Sequence, residues 1–418
     1  MGCAAAGGVD PVSARSDLHA GQGQRRRRPQ HRDARAPHRA AERADTDRAF
    51  SGSAALLCRA DDGGRDGRDA GCPPLPRAGG AGGRPVPINH RADRPTPHPS
   101  RRREGNLTPR LILLTLAAFL LSLMAGKTWI FPPDWFADTA RGWIFLDLRL
   151  PRALLGAGIG AILGLSGAVL QGYLRNPLAD PTVVGVSSSA ALGGVIAILL
   201  GFTPFPLAMA GGGLSVLLLV LMAGRGGGPL GFILAGMVLA TLSGSLTAFL
   251  ISIAPNPFAT SEIIAWMMGA LTDRGMADAV IALPLMAAGG AVLLLTARSL
   301  DALTLGEDAA RSMGVDPARL QWIIALGIGL GVGAAVAVSG VVGFVGLMVP
   351  HIIRRFVGER PSATLIPSAL GGAILVLVAD SLVRLVPGPG EVRLGVAMAV
   401  LGAPFFFLLL GKIRGQGA

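Results

Sequence analysis

The sequence predicts an all-α, polytopic membrane protein of about ten transmembrane helices, preceded by a segment that does not belong to the membrane domain. Three observations predict this class. Apolar runs long enough to cross a ~30 Å hydrocarbon core recur between short polar breaks from Leu107 onward, and a spanning helix needs roughly 20 such residues. Small residues repeat at four-residue spacing within several of these runs. The first 105 residues have neither feature, so the chain divides into residues 1–105 and 106–418.

The N-terminal segment, residues 1–105, is rich in arginine, alanine, glycine and proline, and Phe50 is its single aromatic residue. No apolar period of 2 or 3.6 residues runs through it, so it cannot bury enough surface to offset its ordering entropy. We expect it to be disordered. Two alternatives stay open. The arginine cluster at 24–32 is a patch for nucleic acid or anionic lipid, or the segment lies upstream of the true start of a GC-rich gene.

Each apolar run of the membrane domain is interpreted as one helix. The breaks at 171–185 and around 340–350 contain Pro and Gly, which are tolerated in a membrane only where neighbouring groups satisfy the freed backbone. The predicted spans lie near 109–126, 152–172, 187–201, 205–224, 231–253, 278–297, 321–339, 343–356, 365–386 and 394–411.

Small residues predict where these helices pack. They are spaced four apart in two spans, so that each set lies on one helix face and lets a neighbouring backbone come close. The two sets are Gly156, Gly160 and Gly164, and Gly327, Gly331, Ala335 and Ser339.

The basic residues of the short loops predict the orientation. With the N-terminus in the cytoplasm, more of these lysines and arginines face the cytoplasm than the outside, as the positive-inside rule requires. Both termini are then cytoplasmic. Arg149, Arg152 and Arg384 fall on the outside, and they need a separate explanation.

A short charged segment at residues 305–316, "LGEDAARSMGVD", separates two long apolar runs. Glu307 lies in a first turn where negative charge suits the helix dipole, and Arg311 follows it by four residues. Gly314 suits a left-handed stop, and Asp316 is a natural N-cap for the next span. The segment predicts a short helix on the cytoplasmic side, which is either a well-capped loop or a rigid knob that another protein grips.

The outer arginines have two explanations. Arg149 and Arg152 lie at the start of the predicted second span, close to Pro151, which suits a first helical turn. They are either interfacial anchors that snorkel or docking points for an acidic soluble partner. Arg384 follows Asp380 by four residues on one helix face, which predicts an ion pair at membrane depth.

The sequence offers no residues for catalysis, for a metal or for a cofactor. Lys127 lies in "LMAGKTW", which ends like a phosphate-binding loop but lacks the leading glycine and follows a membrane span. His351 has no accompanying cysteine or carboxylate cluster. The spans also lack a relay of acidic and histidine residues, which an ion-coupled secondary carrier would need; such a carrier is the remote alternative.

Several long motifs resemble, in order, the permeases of the iron-siderophore, haem and vitamin B12 family of bacterial ABC importers. The motifs are "RLPRALLGAGIGAILGLSGAVLQGYLRNPLADPTVVGVSSSAALG", "LAGMVL", "WMMGAL", "LGEDAARSMGV", "GVVGFVGLMVPHIIRRFVG", "LVADSLVRL" and "LGAPFFFLLL". They cover essentially all of residues 106–418 and none of 1–105.

The resemblance implies a ten-helix permease in the bacterial inner membrane, paired with a second copy or a related paralogue. It implies two cytoplasmic ATPase subunits that use ATP and Mg²⁺, and a periplasmic substrate-binding protein. The chain itself would bind no cofactor and no nucleic acid, and it would not be an enzyme.

The resemblance also implies three sets of site residues. Those that match the family's ATPase-coupling helix are Gly306, Glu307, Asp308, Ala309, Arg311, Gly314 and Val315. Those that match its docking points for the binding protein are Arg149, Arg152 and Arg384. Those that match its pathway or cytoplasmic gate are Gln171, Asn176 and Leu178.

The predicted function is therefore import of a metal chelate, with a ferric siderophore as first choice and haem or vitamin B12 as alternatives. The pathway walls are glycine, alanine, leucine and serine, which do not select among these cargoes. One position departs from the family pattern. The stretch 391–395, "EVRLG", has Arg393 where the family commonly has proline, which adds a positive charge at the outer face.

Overall fold

The computed structural model describes the backbone of residues 100–224, 228–387 and 391–415. Nearly all of the N-terminal segment lies outside these ranges, so its disorder stays a prediction. Within the described ranges every regular element is helical, which confirms the predicted fold class. The first helix begins at Ser100 and not near residue 109.

The described residues form the following helices. They are α1 (Ser100–Met124), α2 (Ala140–Trp143), α3 (Leu150–Tyr173), α4 (Val186–Leu199), α5 (Pro204–Ala223), α6 (Gly228–Ser252), α7 (Pro257–Met267), α8 (Met276–Leu294), α9 (Ala297–Leu303), α10 (Glu307–Ser312), α11 (Pro317–Ser339), α12 (Val345–Val357), α13 (Pro361–Leu385) and α14 (Leu394–Gly415). A π-helical turn (Ile144–Arg149) joins α2 to α3, and 3₁₀ turns occupy Pro132–Asp134 and Pro181–Val184.

Seven helical stretches of the described residues are long and apolar enough to cross a membrane, and two shorter apolar helices accompany them. One of the seven is continuous from Ala140 to Tyr173. The sequence placed the start of this span near residue 152, and that boundary is wrong. Pro151 continues a helix that has already begun, because its fixed φ is compatible with helical backbone.

Two predicted spans are too short to cross a membrane alone. α4 has 14 residues and α12 has 13, which correspond to about 20 Å each. Helical structure is interrupted between α11 and α12, and Phe344 in this interruption adopts a positive φ of 67°. The backbone at this break is partly satisfied from elsewhere, since Ala270 N–H donates to the Ser339 carbonyl at 2.8 Å. The predicted interruption near 340–350 is confirmed.

The centre of the bundle is the contact between α3 and α13, in which glycine backbones touch. A methyl group added at Gly160 would lie 2.2 Å from the Gly372 carbonyl oxygen, and one at Gly164 would lie 2.2 Å from that of Ser368. No side chain fits at such distances. The predicted glycine face of α3 therefore packs against the backbone of α13.

The second predicted small-residue face, on α11, packs in the same way against α8. A methyl group at Gly327 would meet the side chain of Leu293 at 2.7 Å, and one at Gly289 would lie 2.5 Å from the amide nitrogen of Gly331. Both faces are confirmed as helix contacts. They fix the distances between four of the long helices.

We predict that Gly160→Ala destabilises the permease, by roughly 1–3 kcal/mol, because the added methyl group forces α3 and α13 apart. Gly213→Ala, in α5, is the matched control, since a methyl group there meets nothing within 4 Å and alanine favours a helix by about 1 kcal/mol over glycine. Thermal denaturation in detergent measures both. Equal midpoints for the two variants would contradict the close contact.

Candidate functional site

Each end of α3 holds a polar cluster. The helix has 24 residues, so its ends are about 36 Å apart. We call the first cluster the arginine end, formed by Arg149, Arg152, Asp380 and Arg384. We call the second the short-helix end, formed by α9, α10, the connection 174–185 and the start of α13.

At the arginine end, Asp380 of α13 binds two arginines at once. Its Oδ1 accepts from Nε and Nη2 of Arg152 at 3.0 and 2.8 Å, and its Oδ2 lies 3.0 Å from Nη2 of Arg384. Asp380 and Arg384 are 1% and 5% exposed. Glu391 supplies a second negative charge, because its Oε2 accepts from Nη1 of Arg152 at 2.8 Å. Two carboxylates thus balance two guanidinium groups.

Arg149 has a different role, since it forms no salt bridge with any carboxylate of the described residues. It is buried and donates to the backbone carbonyls of the last two residues of α1, at 3.1 Å to Leu123 and 2.7 Å to Met124, with a further bond to Thr128 just beyond the helix. These carbonyls lie where a helix has no internal partners for its last C=O groups. Arg149 therefore caps α1 from the neighbouring span.

The predicted Asp380–Arg384 pair is confirmed. The sequence missed that Arg152 shares the same carboxylate, because 228 residues separate the two. It also led us to expect the guanidinium groups of Arg149, Arg152 and Arg384 at the outer surface. The structure instead buries them, leaving only 12% of the Arg152 side chain exposed. Their docking role stays a prediction.

Arg393, the departure from the family pattern, lies near the same face of the bundle. Its Nη1 donates to Oγ1 of Thr272 at 3.3 Å, and it lines a cavity of about 260 Å³ together with Glu262 and Arg274. The added charge therefore faces the loop between α7 and α8.

At the short-helix end, Gln171 ties α3 to two other segments. It is 2% exposed, and its Nε2 donates to the carbonyls of Ala179 at 3.2 Å and Gly346 at 3.1 Å. Gln171 thus holds the connection 174–185 against the start of α12. Its predicted position on the transport pathway stays a prediction.

The predicted gate residues Asn176 and Leu178 form one tight turn. The Asn176 side-chain oxygen accepts from the Leu178 amide at 2.9 Å, which is the geometry of an Asx turn. Leu178 lines a cavity of about 340 Å³ together with Phe344 and Phe406. The turn therefore places an apolar side chain at a cavity that residues at the start of α12 and in α14 also line.

Asp180, which the sequence interpretation missed, holds the end of this turn. Its Oδ1 accepts from the amide and hydroxyl of Thr182 at 2.9 and 2.7 Å, so that it caps the 3₁₀ turn. Burial raises the pKa of this carboxyl above its ordinary value of 3.8. The dipeptide Asp180–Pro181, a typical start of a helical turn, was the available sequence signal.

α10 agrees with the predicted short helix. Its six residues span about 9 Å. Gly314 follows it with φ of +85°, which confirms the predicted left-handed stop. Arg311 lies 3.7 Å from Glu307 and 3.5 Å from Asp308. Asp316 accepts from the Ala318 amide at 2.9 Å and caps α11 as predicted.

The segment exposes both charged and apolar side chains. Asp308 projects fully into solvent, and Leu305 and Met313 are 70% and 54% exposed. Ala310, in contrast, is fully buried and anchors the helix from beneath. The segment therefore presents a small rigid surface of mixed character, as a protein contact requires.

Asp301 of α9, a second residue that the sequence interpretation missed, ties the short helices to α13. Its two carboxylate oxygens accept from the amide and hydroxyl of Ser362 at 2.9 and 2.6 Å, and Arg360 lies 3.4 Å from it. Ser362 is in the first turn of α13. These contacts join α9 directly to the long helix that carries Asp380.

The arrangement joins helices through buried polar contacts and leaves the surface of α10 exposed. Within the described residues, no group of three or more His, Cys, Asp or Glu is placed to hold a metal ion. His351 packs its ring against Phe405, with centroids 6.0 Å apart.

Comparison with known proteins agrees with this architecture. Residues 114–412 match the model of the FecCD transport family. The Fe(3+) dicitrate transport system permease FecD of Escherichia coli K12 is 34% identical over 316 residues, which cover 73% of this chain and 98% of FecD. The vitamin B12 import system permease BtuC of Salmonella typhi is 38% identical over 323 residues, which cover 75% of this chain and 97% of BtuC.

A solved structure of a metal-chelate-type ABC transporter, in an inward-facing conformation, is similar in fold. Its TM-score is 0.69 at 32% sequence identity, and the similarity covers 74% of this chain and 99% of that one. The matched family model, the relatives and the shared fold include almost the whole membrane domain. The chain therefore belongs to the FecCD transport family, and it is a multi-pass membrane permease of an ABC importer.

Proposed function

We propose that this permease moves a metal chelate, with a ferric siderophore as first choice, from the periplasm into the cytoplasm. The observation that carries the proposal is the family match over residues 114–412. FecD is named for ferric dicitrate and the similar solved structure for metal chelates, which supports an iron chelate. BtuC is named for vitamin B12, which makes a cobalamin the second candidate, with haem in the same class.

The proposed location is the bacterial inner membrane, with both termini in the cytoplasm. The short-helix end then faces the cytoplasm and the arginine end faces the periplasm. This orientation is supported by Arg175, Arg298, Arg354 and Arg355, which lie at or near the short-helix end and follow the positive-inside rule.

The proposed partners are a second copy of the permease or a paralogue, two cytoplasmic ATPase subunits and a periplasmic substrate-binding protein. ATP and Mg²⁺ belong to the ATPase. α10 is the proposed contact with it, because it is a short helix that ends at a left-handed glycine, and the segment exposes Asp308 and Leu305. Movement imposed on α10 reaches α13 through Asp301 and Ser362.

The proposed gate is the turn that contains Asn176 and Leu178. In this structure Leu178 lies close to Phe344 and Phe406 at one cavity, and Gln171 holds the turn against α12. A tilt of α12 relative to α3 would break these bonds and move Leu178 away from the cavity. Burial raises the pKa of Asp180 in this structure. Opening of the proposed gate would expose this carboxyl to water and so remove the cause of the raised pKa.

The proposed docking site for the binding protein is the arginine end, and its burial changes how docking would work. Arg152 already bonds to Asp380 and Glu391. Glu391 is its more exposed partner, with 29% of its side chain accessible compared with 2% for Asp380. An incoming carboxylate would therefore replace Glu391 at Arg152.

Uptake measurements test the cargo. We expect that deletion of the gene abolishes uptake of labelled ferric siderophore, with haem and cobalamin uptake unchanged, and that a version starting at Ser100 behind a new methionine restores it. The strain must lack paralogous systems, and the full-length gene is the control. Loss of cobalamin uptake alone would support the second candidate, and unchanged uptake of all three chelates would contradict the proposed cargo.

Charge reversal tests the coupling role of α10. We expect Glu307→Lys with Asp308→Lys to abolish the stimulation of ATPase activity by loaded binding protein, because it reverses the charge of the exposed first turn. The reconstituted transporter should still assemble in the membrane. Arg110→Glu with Arg319→Glu is the control, since both arginines are exposed and lie outside the short segment. Retained stimulation in the α10 variant would refute the assignment.

Removal of Glu391 tests docking without disturbing the buried Asp380. We expect Glu391→Gln to tighten the affinity for the binding protein roughly fivefold, about 1 kcal/mol, because a competing carboxylate is removed from Arg152. Asp134→Asn is the control, since it removes the carboxylate of the exposed Asp134–Arg141 pair. Surface plasmon resonance measures both, and an unchanged Kd for Glu391→Gln would limit Arg152 to a structural role.

A further inference from the structure

A basic cleft opens between the ends of three helices at the short-helix end. Its volume is about 510 Å³, and its walls come from the end of α3, the end of α12 and the start of α13. Three arginines line it, namely Arg175, Arg354 and Arg355. Glu359 is the one acidic residue among the described residues that line it. The cleft therefore carries a net positive charge.

The three guanidinium groups have no partner in the described part of the chain. None of them forms a hydrogen bond or a salt bridge within 4 Å with another described residue, although neighbouring Arg360 pairs with Asp301. Arg354 is half-buried and attracted to Glu359 only at longer range. Unpaired arginines that converge on one concave site are suited to an anion with several acceptor oxygens, such as a phosphate group.

An apolar strip lies on the same helix as two of these arginines. Ile352 and Phe356 of α12 are 38% and 56% exposed, and they lie four residues apart on one face. Arg355 is adjacent to Phe356 in sequence. A ligand that contacts both the arginine-lined cleft and this apolar strip would have a negatively charged head and a hydrocarbon tail.

We propose that this cleft binds the phosphate of an anionic phospholipid of the cytoplasmic leaflet, with an acyl chain along Ile352 and Phe356. The cleft is walled by the ends of membrane helices, which is the level of the lipid headgroups. Basic pockets between transmembrane helices on the cytoplasmic side are typical sites for such headgroups. The apolar strip favours the lipid over free phosphate and over an acidic side chain of a protein partner.

Lipid binding to the full-length permease, purified with its ATPase subunits, tests the proposal. Native mass spectrometry counts lipids retained from an equimolar mixture of phosphatidylglycerol and phosphatidylcholine. The wild type should retain phosphatidylglycerol preferentially. Arg175→Gln with Arg355→Gln should weaken that binding by about 25-fold, since each arginine near an anionic headgroup contributes roughly fivefold. Both residues are exposed, so the substitutions leave the fold intact.

The control is Arg110→Gln with Arg319→Gln, which makes the same change in net charge at exposed positions outside the cleft. It should retain the lipid as the wild type does. Three results would overturn the proposal: equal phosphatidylglycerol retention in the two double variants, no preference of the wild type for phosphatidylglycerol over phosphatidylcholine while inorganic phosphate is retained, or loss of the ATPase subunits from the cleft variant with lipid retention unchanged. The second would identify free phosphate as the ligand, and the third a protein carboxylate.

Discussion

The backbone contact between α3 and α13 is the constraint on which the other functional contacts depend. Gly160 and Gly372 face each other so closely that neither position has room for a methyl group. Because the two helices touch along their length, Arg152 of α3 reaches Asp380 of α13 at one end. At the other end, Gly172 packs against Pro361 at the start of α13. Glycine in the middle therefore determines which polar groups meet at both ends.

The arginine end illustrates how charge is retained inside a membrane protein. Removing one member of a buried ion pair leaves an unbalanced charge and costs about 3–5 kcal/mol, although the complete pair contributes little. Asp380 is shared by Arg152 and Arg384, so its loss would leave both arginines short of a partner. Arg152 and Arg384 are balanced by Asp380 and Glu391, and of these two carboxylates Glu391 is the more exposed to solvent.

The short-helix end is joined to the long helices by a few buried contacts. α10 ends at the left-handed Gly314 and buries Ala310, while its exposed pairs between Arg311 and the acidic residues contribute little to stability. The neighbouring helix α9 is bonded to α13 through Asp301 and Ser362. In the proposed coupling, a force on α10 would reach α13 by this route and α3 across the glycine contact. The proposed gate turn is bonded to the end of α3 through Gln171.

The sequence by itself determined the membrane class, the approximate position of most apolar helices, the glycine faces and the short helix at 307–312, because these depend on local composition and on spacing along one helix. The Asp380–Arg384 pair was predictable for the same reason. Only the tertiary structure decided that Arg149 caps α1, that Arg152 shares Asp380 and that Asp301 bonds to Ser362. Those partners lie between 21 and 228 residues apart in sequence. No periodicity along the sequence predicts such pairs, because only the packing of the helices brings the partners together. The same packing buries the arginines.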